Sequence, residues 1–197
     1  RDRSPSRGLG DVYKTQAHAG VFYESHNLLF TRNTTYESGA TLVSRSENPE
    51  LSYNYLTRIA GSGMQSYGNH NGFLHHNTHE NSHDNHGNGF TFGYLGNDGL
   101  TIEHNYVRNA NIGMTAQASK NLTYRYNVLI ANEEIGTTFA GWNGTHDGVT
   151  PDNLLFENNT FVSLSENGNT VIGTNYTNVV MRNNIIAWPN WGGAICT

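Results

Sequence analysis

A recurring asparagine is the feature that most constrains how this 197-residue chain can fold. Seven asparagines each follow a large apolar residue by three positions: Phe30/Asn33, Leu51/Asn54, Leu74/Asn77, Ile102/Asn105, Tyr124/Asn127, Phe156/Asn159 and Met181/Asn184. Successive asparagines are 21, 23, 28, 22, 32 and 25 residues apart. A repeat of this length is typical of proteins built from stacked units, each of which contacts only its neighbours.

The residues around each asparagine alternate as they do in a short strand. An apolar side chain stands five positions before it in five of the seven repeats, and two positions after it in five. This period of two places the apolar side chains on one face of a strand. Second apolar runs follow, as at residues 40–43, 90–92, 112–114, 171–172 and 194–195.

Repeats of about 22 residues with two or three short strands predict the coils of a parallel β-solenoid. A lone coil cannot bury its apolar face, so the coils stack and each strand pairs with its equivalent in the next coil. We expect the asparagine at the bend after the strand, where its amide donates and accepts along the stack and its backbone tolerates a left-handed conformation. The predicted fold is all-β, with about seven coils within residues 17–197.

Three segments, NLLFENNTF, DGLTIEHNYV and NVVMRNNIIAW, resemble right-handed parallel β-helix repeats of the pectate-lyase-like superfamily. The resemblance covers about residues 20–197 and implies a right-handed parallel β-helix. The superfamily includes polysaccharide lyases, glycoside hydrolases and epimerases, and also adhesins and tail spikes without catalytic activity. Because a shared fold does not select one function, the choice among them depends on individual residues.

Both ends of the chain differ from a regular β-helix. Residues 1–16 have no apolar period and no hydrophobic segment of the kind found in signal peptides, so we interpret them as a non-native or disordered N-terminal arm. The chain ends within what reads as another strand, and neither end shows a cap. We therefore expect the β-helix to be a fragment of a longer protein.

Composition excludes several classes of partner. No apolar run is long enough to span a membrane, and no stretch of Lys or Arg is suited to a phosphate backbone. Cys196 is the only cysteine, so neither an internal disulfide nor a cysteine-based zinc site can form. We expect a polysaccharide partner, no nucleic acid and no membrane, and a secreted or cell-surface location. The oligomeric state stays open.

A histidine-rich run supplies the predicted catalytic residues. Six of the ten histidines fall within residues 70–86. Histidine titrates near neutral pH, so His79, His83 and Asp84 are predicted to form an acid–base group. We expect residues 79–86 to cross the bend after a strand. His76 and its equivalent one coil later, His104, are predicted to support the group, with their rings facing each other.

Two other interpretations of this run stay open. His79, His83, His86 and Asp84 are metal-ligand types, but their spacing needs a helix to form a familiar zinc pattern, so no metal site is predicted. Alternatively the histidines fill turns and stack in ladders, as the asparagines do. No acidic cluster of the pectate-lyase type is evident, so we predict no cofactor, with Ca²⁺ left open.

Three residues are candidates for binding substrate. Trp142 and Asp147 fall in the longest interval between asparagines, and insertions into solenoid coils usually form surface loops on the binding side. The other interpretation of Trp142 is that it packs against the coil. Arg125 belongs to an outward column two positions before each asparagine: Thr31, Ser52, His75, Glu103, Arg125, Glu157 and Arg182. The last four alternate in charge, which predicts either a ladder of ion pairs or a site for a uronate carboxylate.

Two functions therefore remain. The first is a carbohydrate-active enzyme, a polysaccharide lyase, hydrolase or epimerase, with His/Asp acid–base groups in a groove on one outer sheet. The alternative is a non-catalytic β-solenoid, an adhesin or a structural surface protein. An enzyme predicts that the histidines, the carboxylates and Arg125 converge, whereas a structural protein predicts that they scatter around the coil.

Overall fold

The computed structural model describes residues 18–82, 87–93, 95–142, 151–166, 170–171 and 176–188. These residues form 21 strands in three parallel sheets of seven strands each. Successive strands join successive sheets, so each coil contributes one strand to every sheet. The prediction of an all-β parallel solenoid of about seven coils is confirmed. The N-terminal arm proposed for residues 1–16 lies outside the described residues.

The strands are named in chain order and grouped here by sheet. Sheet A contains β1 (His18–Tyr23), β4 (Gly39–Ser44), β7 (Met64–Tyr67), β10 (Asn88–Phe92), β13 (Ile112–Gln117), β16 (Thr137–Trp142) and β19 (Thr170–Val171). Sheet B contains β2 (Leu29–Thr31), β5 (Glu50–Ser52), β8 (Phe73–His75), β11 (Thr101–Glu103), β14 (Lys120–Arg125), β17 (Asp152–Glu157) and β20 (Thr177–Arg182). Sheet C contains β3 (Thr34–Tyr36), β6 (Tyr55–Thr57), β9 (Thr78–Glu80), β12 (Tyr106–Ala110), β15 (Val128–Ala131), β18 (Thr160–Ser163) and β21 (Ile185–Ala187).

The register of sheet B follows the sequence repeat residue by residue. The seven apolar residues that precede the recurring asparagines pair in one column: Phe30, Leu51, Leu74, Ile102, Tyr124, Phe156 and Met181. This column points inward and meets apolar side chains of sheets A and C in one continuous core. Within it the rings of Tyr124 and Phe156 stack with centroids 4.9 Å apart. Burial of this shared face is what holds one coil on the next.

The asparagine ladder that the repeat predicts is present between sheets B and C. Each Nδ2 donates to the Oδ1 of the next asparagine at 2.9–3.0 Å, in the order Asn33, Asn54, Asn77, Asn105, Asn127, Asn159 and Asn184. From Asn54 onwards, each Nδ2 also donates to a strand carbonyl of the preceding coil, as Asn105 does to Leu74 at 2.9 Å. The amides of the five buried members, Asn54, Asn77, Asn105, Asn127 and Asn159, are therefore satisfied.

The residue before each ladder asparagine has a left-handed backbone. The torsion φ lies between 52° and 58° at all seven positions: Arg32, Tyr53, His76, His104, Tyr126, Asn158 and Asn183. This conformation costs about 1 kcal/mol or more for a residue with a Cβ. The ladder hydrogen bonds offset that cost, and the tight bend turns these seven side chains outward at the corner between sheets B and C.

The remaining connections vary in length from coil to coil, whereas the corner between sheets B and C is constant. In the part of the chain that the structure describes, no helix is long and apolar enough to cross a membrane.

Candidate functional site

The outer face of sheet B carries the predicted column of polar and charged residues. Strand pairing brings the seven members into one line: Thr31, Ser52, His75, Glu103, Arg125, Glu157 and Arg182. His75 therefore stands one strand away from Ser52 on one side and from Glu103 on the other. Several of the predicted site residues meet around this position.

The imidazole of His75 links a carboxylate to a second imidazole. Its Nε2 lies 3.2 Å from Oε1 of Glu50, and its Nδ1 lies 2.9 Å from Nδ1 of His76. The Glu50 carboxylate can only accept, so Nε2 of a neutral His75 carries the hydrogen. Nδ1 of His75 then accepts from Nδ1–H of His76. Ser52 Oγ donates to the same Glu50 oxygen at 3.0 Å.

His76 lies in a stack of four rings along the corner between sheets B and C. Its centroid is 4.8 Å from that of Tyr53 and 4.9 Å from that of His104, with interplanar angles of 18° and 21°. His104 stacks in turn on Tyr126 at 5.0 Å. The prediction that the His76 and His104 rings face each other is confirmed. Both faces of the His76 ring are covered, so a ligand can reach only its exposed edge.

The surroundings of His76 favour its neutral form. Burial lowers its pKa below the usual 6.5, positive charge on His104 and on His75 lowers it further, and Glu103 opposes these effects. With Nδ1–H donated to His75, the Nε2 atom of neutral His76 carries a lone pair. His76 is thus arranged as a base at neutral pH.

Ion pairs form along the charged column, as the alternating signs predict. Arg125 Nε donates to Glu103 Oε2, and Arg182 Nη2 lies 2.6 Å from Glu157 Oε2. The side chain of Glu103 is only 12% exposed, while that of Arg125 is 41% exposed. Arg125 is two strands away from His75, and its charge is already matched by Glu103.

His79 occupies a different place from the predicted one. It lies in β9 rather than in the bend, and its side chain points into the core, fully buried. Burial lowers its pKa to about 3. Its Nε2 meets Ser82 Oγ, which donates to the Asn88 carbonyl at 3.1 Å, while Nδ1 has no partner among the described residues. The ring has no surface that a glycan can contact, and its catalytic role stays a prediction.

Trp142 is on a different sheet from the strand that precedes His76. Trp142 is the last residue of β16, paired with Gln117 in sheet A, and thus belongs to a different sheet from Arg125. It therefore ends a strand, where a surface loop was expected. His83, Asp84 and Asp147 lie outside the described residues.

A separate pocket of about 520 Å³ lies beside sheet C. It is lined by Glu80, Asn81, Arg108, Asn109, Asn132, Glu133, Glu134 and Leu164. The Tyr55 hydroxyl donates to the lining residue Glu80 at 3.0 Å. The pocket supplies carboxylates, and among the described residues its lining includes no histidine.

No group of three His, Cys, Asp or Glu residues within the described ranges is arranged to hold a metal ion. The expectation of no cofactor, with Ca²⁺ left open, stays a prediction.

Sequence reasoning missed Glu50 as a site residue and did not select His75. Both could have been found by extending the repeat. Glu50 is four positions before Asn54, and His75 is two positions before Asn77, so both face outward on neighbouring strands. The same counting places Tyr53 in the column of His76.

Solved structures show where else this fold occurs. The chain has a TM-score of 0.61 and 14% identity to the GH136 lacto-N-biosidase of Eubacterium ramulus, covering 81% of this chain and 28% of that chain. It has a TM-score of 0.48 and 15% identity to a T265N mutant of the periplasmic alginate epimerase AlgG, covering 83% of this chain and 46% of that one. The chain thus spans less than half the length of either protein. None of the curated protein sequences matches it.

The family comparison agrees with the geometry of the coils. The model that describes the right-handed β-helix region matches residues 11–153, which is most of the chain. This match confirms that the coils are right-handed, as the resemblance of the segments NLLFENNTF, DGLTIEHNYV and NVVMRNNIIAW implies. This chain belongs to the right-handed β-helix family.

Proposed function

We propose that this protein is a carbohydrate-active enzyme that acts on a polysaccharide at the outer face of sheet B. One observation carries the proposal: the chain of contacts from Glu50 through His75 ends at the exposed edge of His76. The resemblance to a superfamily of polysaccharide lyases, hydrolases and epimerases supplies the substrate class. A secreted or cell-surface location belongs to the same proposal, since polysaccharides of this kind are met there.

In this proposal His76 is the acid–base group. Its Nε2, which has no hydrogen-bond partner among the described residues, accepts a proton from the substrate or from a water molecule, and later returns it. As His76 becomes cationic, its Nδ1–H bond to His75 strengthens, and the negative charge of Glu50 stabilises the pair through His75. His75 and Glu50 are thus positioning residues, which hold the tautomer and the orientation of His76.

The neighbours of His76 have supporting roles. His104 covers one face of the ring and helps to keep its pKa low. Arg125 uses one N–H for Glu103, so its other N–H groups are available to donate to sugar hydroxyls.

His76→Tyr tests the proposal without removing the ring stack. Tyrosine already occupies the same column position at Tyr53 and Tyr126, with the same left-handed backbone. Wild type and variant are assayed on a panel of polysaccharides for new reducing ends, unsaturated products and epimerised sugars. We expect the variant to fold normally and to lose about 100-fold or more of the turnover.

The control is His26→Gln, which changes an exposed histidine at the corner between sheets A and B. It should retain wild-type turnover. Equal turnover by His76→Tyr and wild type would refute the role of His76.

A pH profile separates the positioning role of Glu50 from a merely structural one. In Glu50→Gln the negative charge behind His75 is lost, so His76 becomes a weaker base. We expect kcat to fall with little change in KM, and the acidic limb of the kcat profile to move to lower pH. An unchanged pH profile of kcat would contradict the positioning role of Glu50.

The second candidate function is that of a non-catalytic β-solenoid, either an adhesin or a structural surface protein. It is favoured by the stack of four rings that includes His76 and by the paired charges of the column, both of which stabilise a solenoid without any reaction. This function predicts no turnover of any polysaccharide and equal stability of wild type and His76→Tyr.

A further inference from the structure

The cations of sheet B are already paired with carboxylates. Arg125 is bonded to Glu103, and Arg182 to Glu157. The remaining cation of the sheet, Lys120, lies 3.2 Å from Asp98 at the edge towards sheet A. Every guanidinium and ammonium charge on the described strands of this sheet is therefore already matched by a carboxylate.

The groups closest to the proposed acid–base residue carry excess negative charge. Glu50 contacts His75, and Glu103 stands beside it one strand further along. Arg125 balances only one of these two carboxylates. Arg32 lies at the end of the ring stack, with its guanidinium 5.8 Å from the centroid of Tyr53, and is two coils from His76 and three from His104. A carboxylate placed near His76 would meet repulsion from Glu50 and Glu103, and the positive charge of Arg125 is already matched by Glu103.

We propose that this site selects neutral glycans and rejects chains of uronic acids. The inference rests on the proposed function, because it names the substrate class of the same site. Selectivity arises in two ways: the neutral hydroxyls of a glycan can accept from the spare N–H groups of Arg125, and the unbalanced carboxylates disfavour an anionic ring.

Binding by the wild-type protein tests the inference directly. Soluble xylan, galactomannan and β-glucan serve as neutral probes, with polygalacturonate and alginate as acidic probes, at low ionic strength without divalent cations. We expect at least one neutral probe to bind about tenfold or more tightly than either polyuronate. Tighter binding or turnover of a polyuronate would overturn the inference and leave the proposed function standing. Failure to bind either class would refute the proposed function, and the inference with it.

Glu103→Gln tests the cause of the selectivity. This nearly isosteric change releases Arg125 and removes one negative charge, so affinity for polygalacturonate should rise about tenfold and the gain should vanish at high salt. The matched control is Glu47→Gln, which changes the net charge equally; the Glu47 carboxylate accepts from Asn71 and forms no ion pair among the described residues. Equal affinities of the two variants for polygalacturonate would overturn the role of the Glu103–Arg125 pair.

Discussion

Replacing Asn105 by alanine should destabilise the solenoid strongly, because this buried side chain takes part in four hydrogen bonds. Its Nδ2 donates to the Leu74 carbonyl at 2.9 Å and to Asn127 Oδ1 at 3.0 Å. Its Oδ1 accepts from the backbone N and from Nδ2 of Asn77, both at 3.0 Å. At about 1 kcal/mol each, these bonds contribute about 4 kcal/mol to the free energy of unfolding. Donors of Asn77 left buried without acceptors add to the loss.

The matched control is Asn33→Ala, at the end of the described ladder. The Asn33 side chain donates two hydrogen bonds, to the Thr31 carbonyl and to Asn54 Oδ1, and it is only partly buried. Its removal should cost about 1–2 kcal/mol. Urea unfolding followed by far-UV circular dichroism measures both variants against wild type. A loss for Asn105→Ala below about 1 kcal/mol, or no greater than that for Asn33→Ala, would refute the ladder as a source of stability.

Three further predictions concern the core and the ring stack. The pKa of buried His79 is about 3, so the unfolded chain binds the extra proton as the pH falls below 6.5. Acidification from pH 7 to pH 5 should therefore cost wild type about 2 kcal/mol more stability than it costs His79→Leu in urea titrations. Gly63→Ala should lower the melting temperature far more than Gly93→Ala, because the new Cβ would meet the His79 ring and a carbonyl 2.7 Å away, whereas at Gly93 it meets a glutamine side chain that can move. Burial first and the charge of His104 second lower the pKa of His76, so His104→Tyr should raise that pKa in an NMR titration but leave it below 6.5.

The fold could be predicted because the repeat encodes the register. Phe30 and Met181 are 151 positions apart, yet counting back from the nearest asparagine places both in one inward column, as strand pairing confirms. The same counting places the His76 ring against that of His104. A periodic sequence thus specifies contacts between distant residues without any long-range information.

The site was harder to predict because residue type and residue position gave different answers. His79 stands two positions after Asn77, where other repeats have Leu56 or Val107, so position alone assigns it to the core. Its chemistry suggested catalysis instead. The contact between Glu50 and His75 depends on side-chain rotamers across 25 residues of chain, which no repeat specifies.

The central claim is that a glycan acts at the edge of His76, on the outer face of sheet B. The most direct measurement is the NMR spectrum of protein with ¹³Cε1-labelled histidines, recorded during titration with oligosaccharides of the neutral polysaccharide that wild type binds. We predict saturable shifts of the His76 and His104 signals, with the exposed His26 unchanged. Saturable binding that leaves His76 and His104 unchanged would contradict the claim and assign the glycan to another surface of the protein.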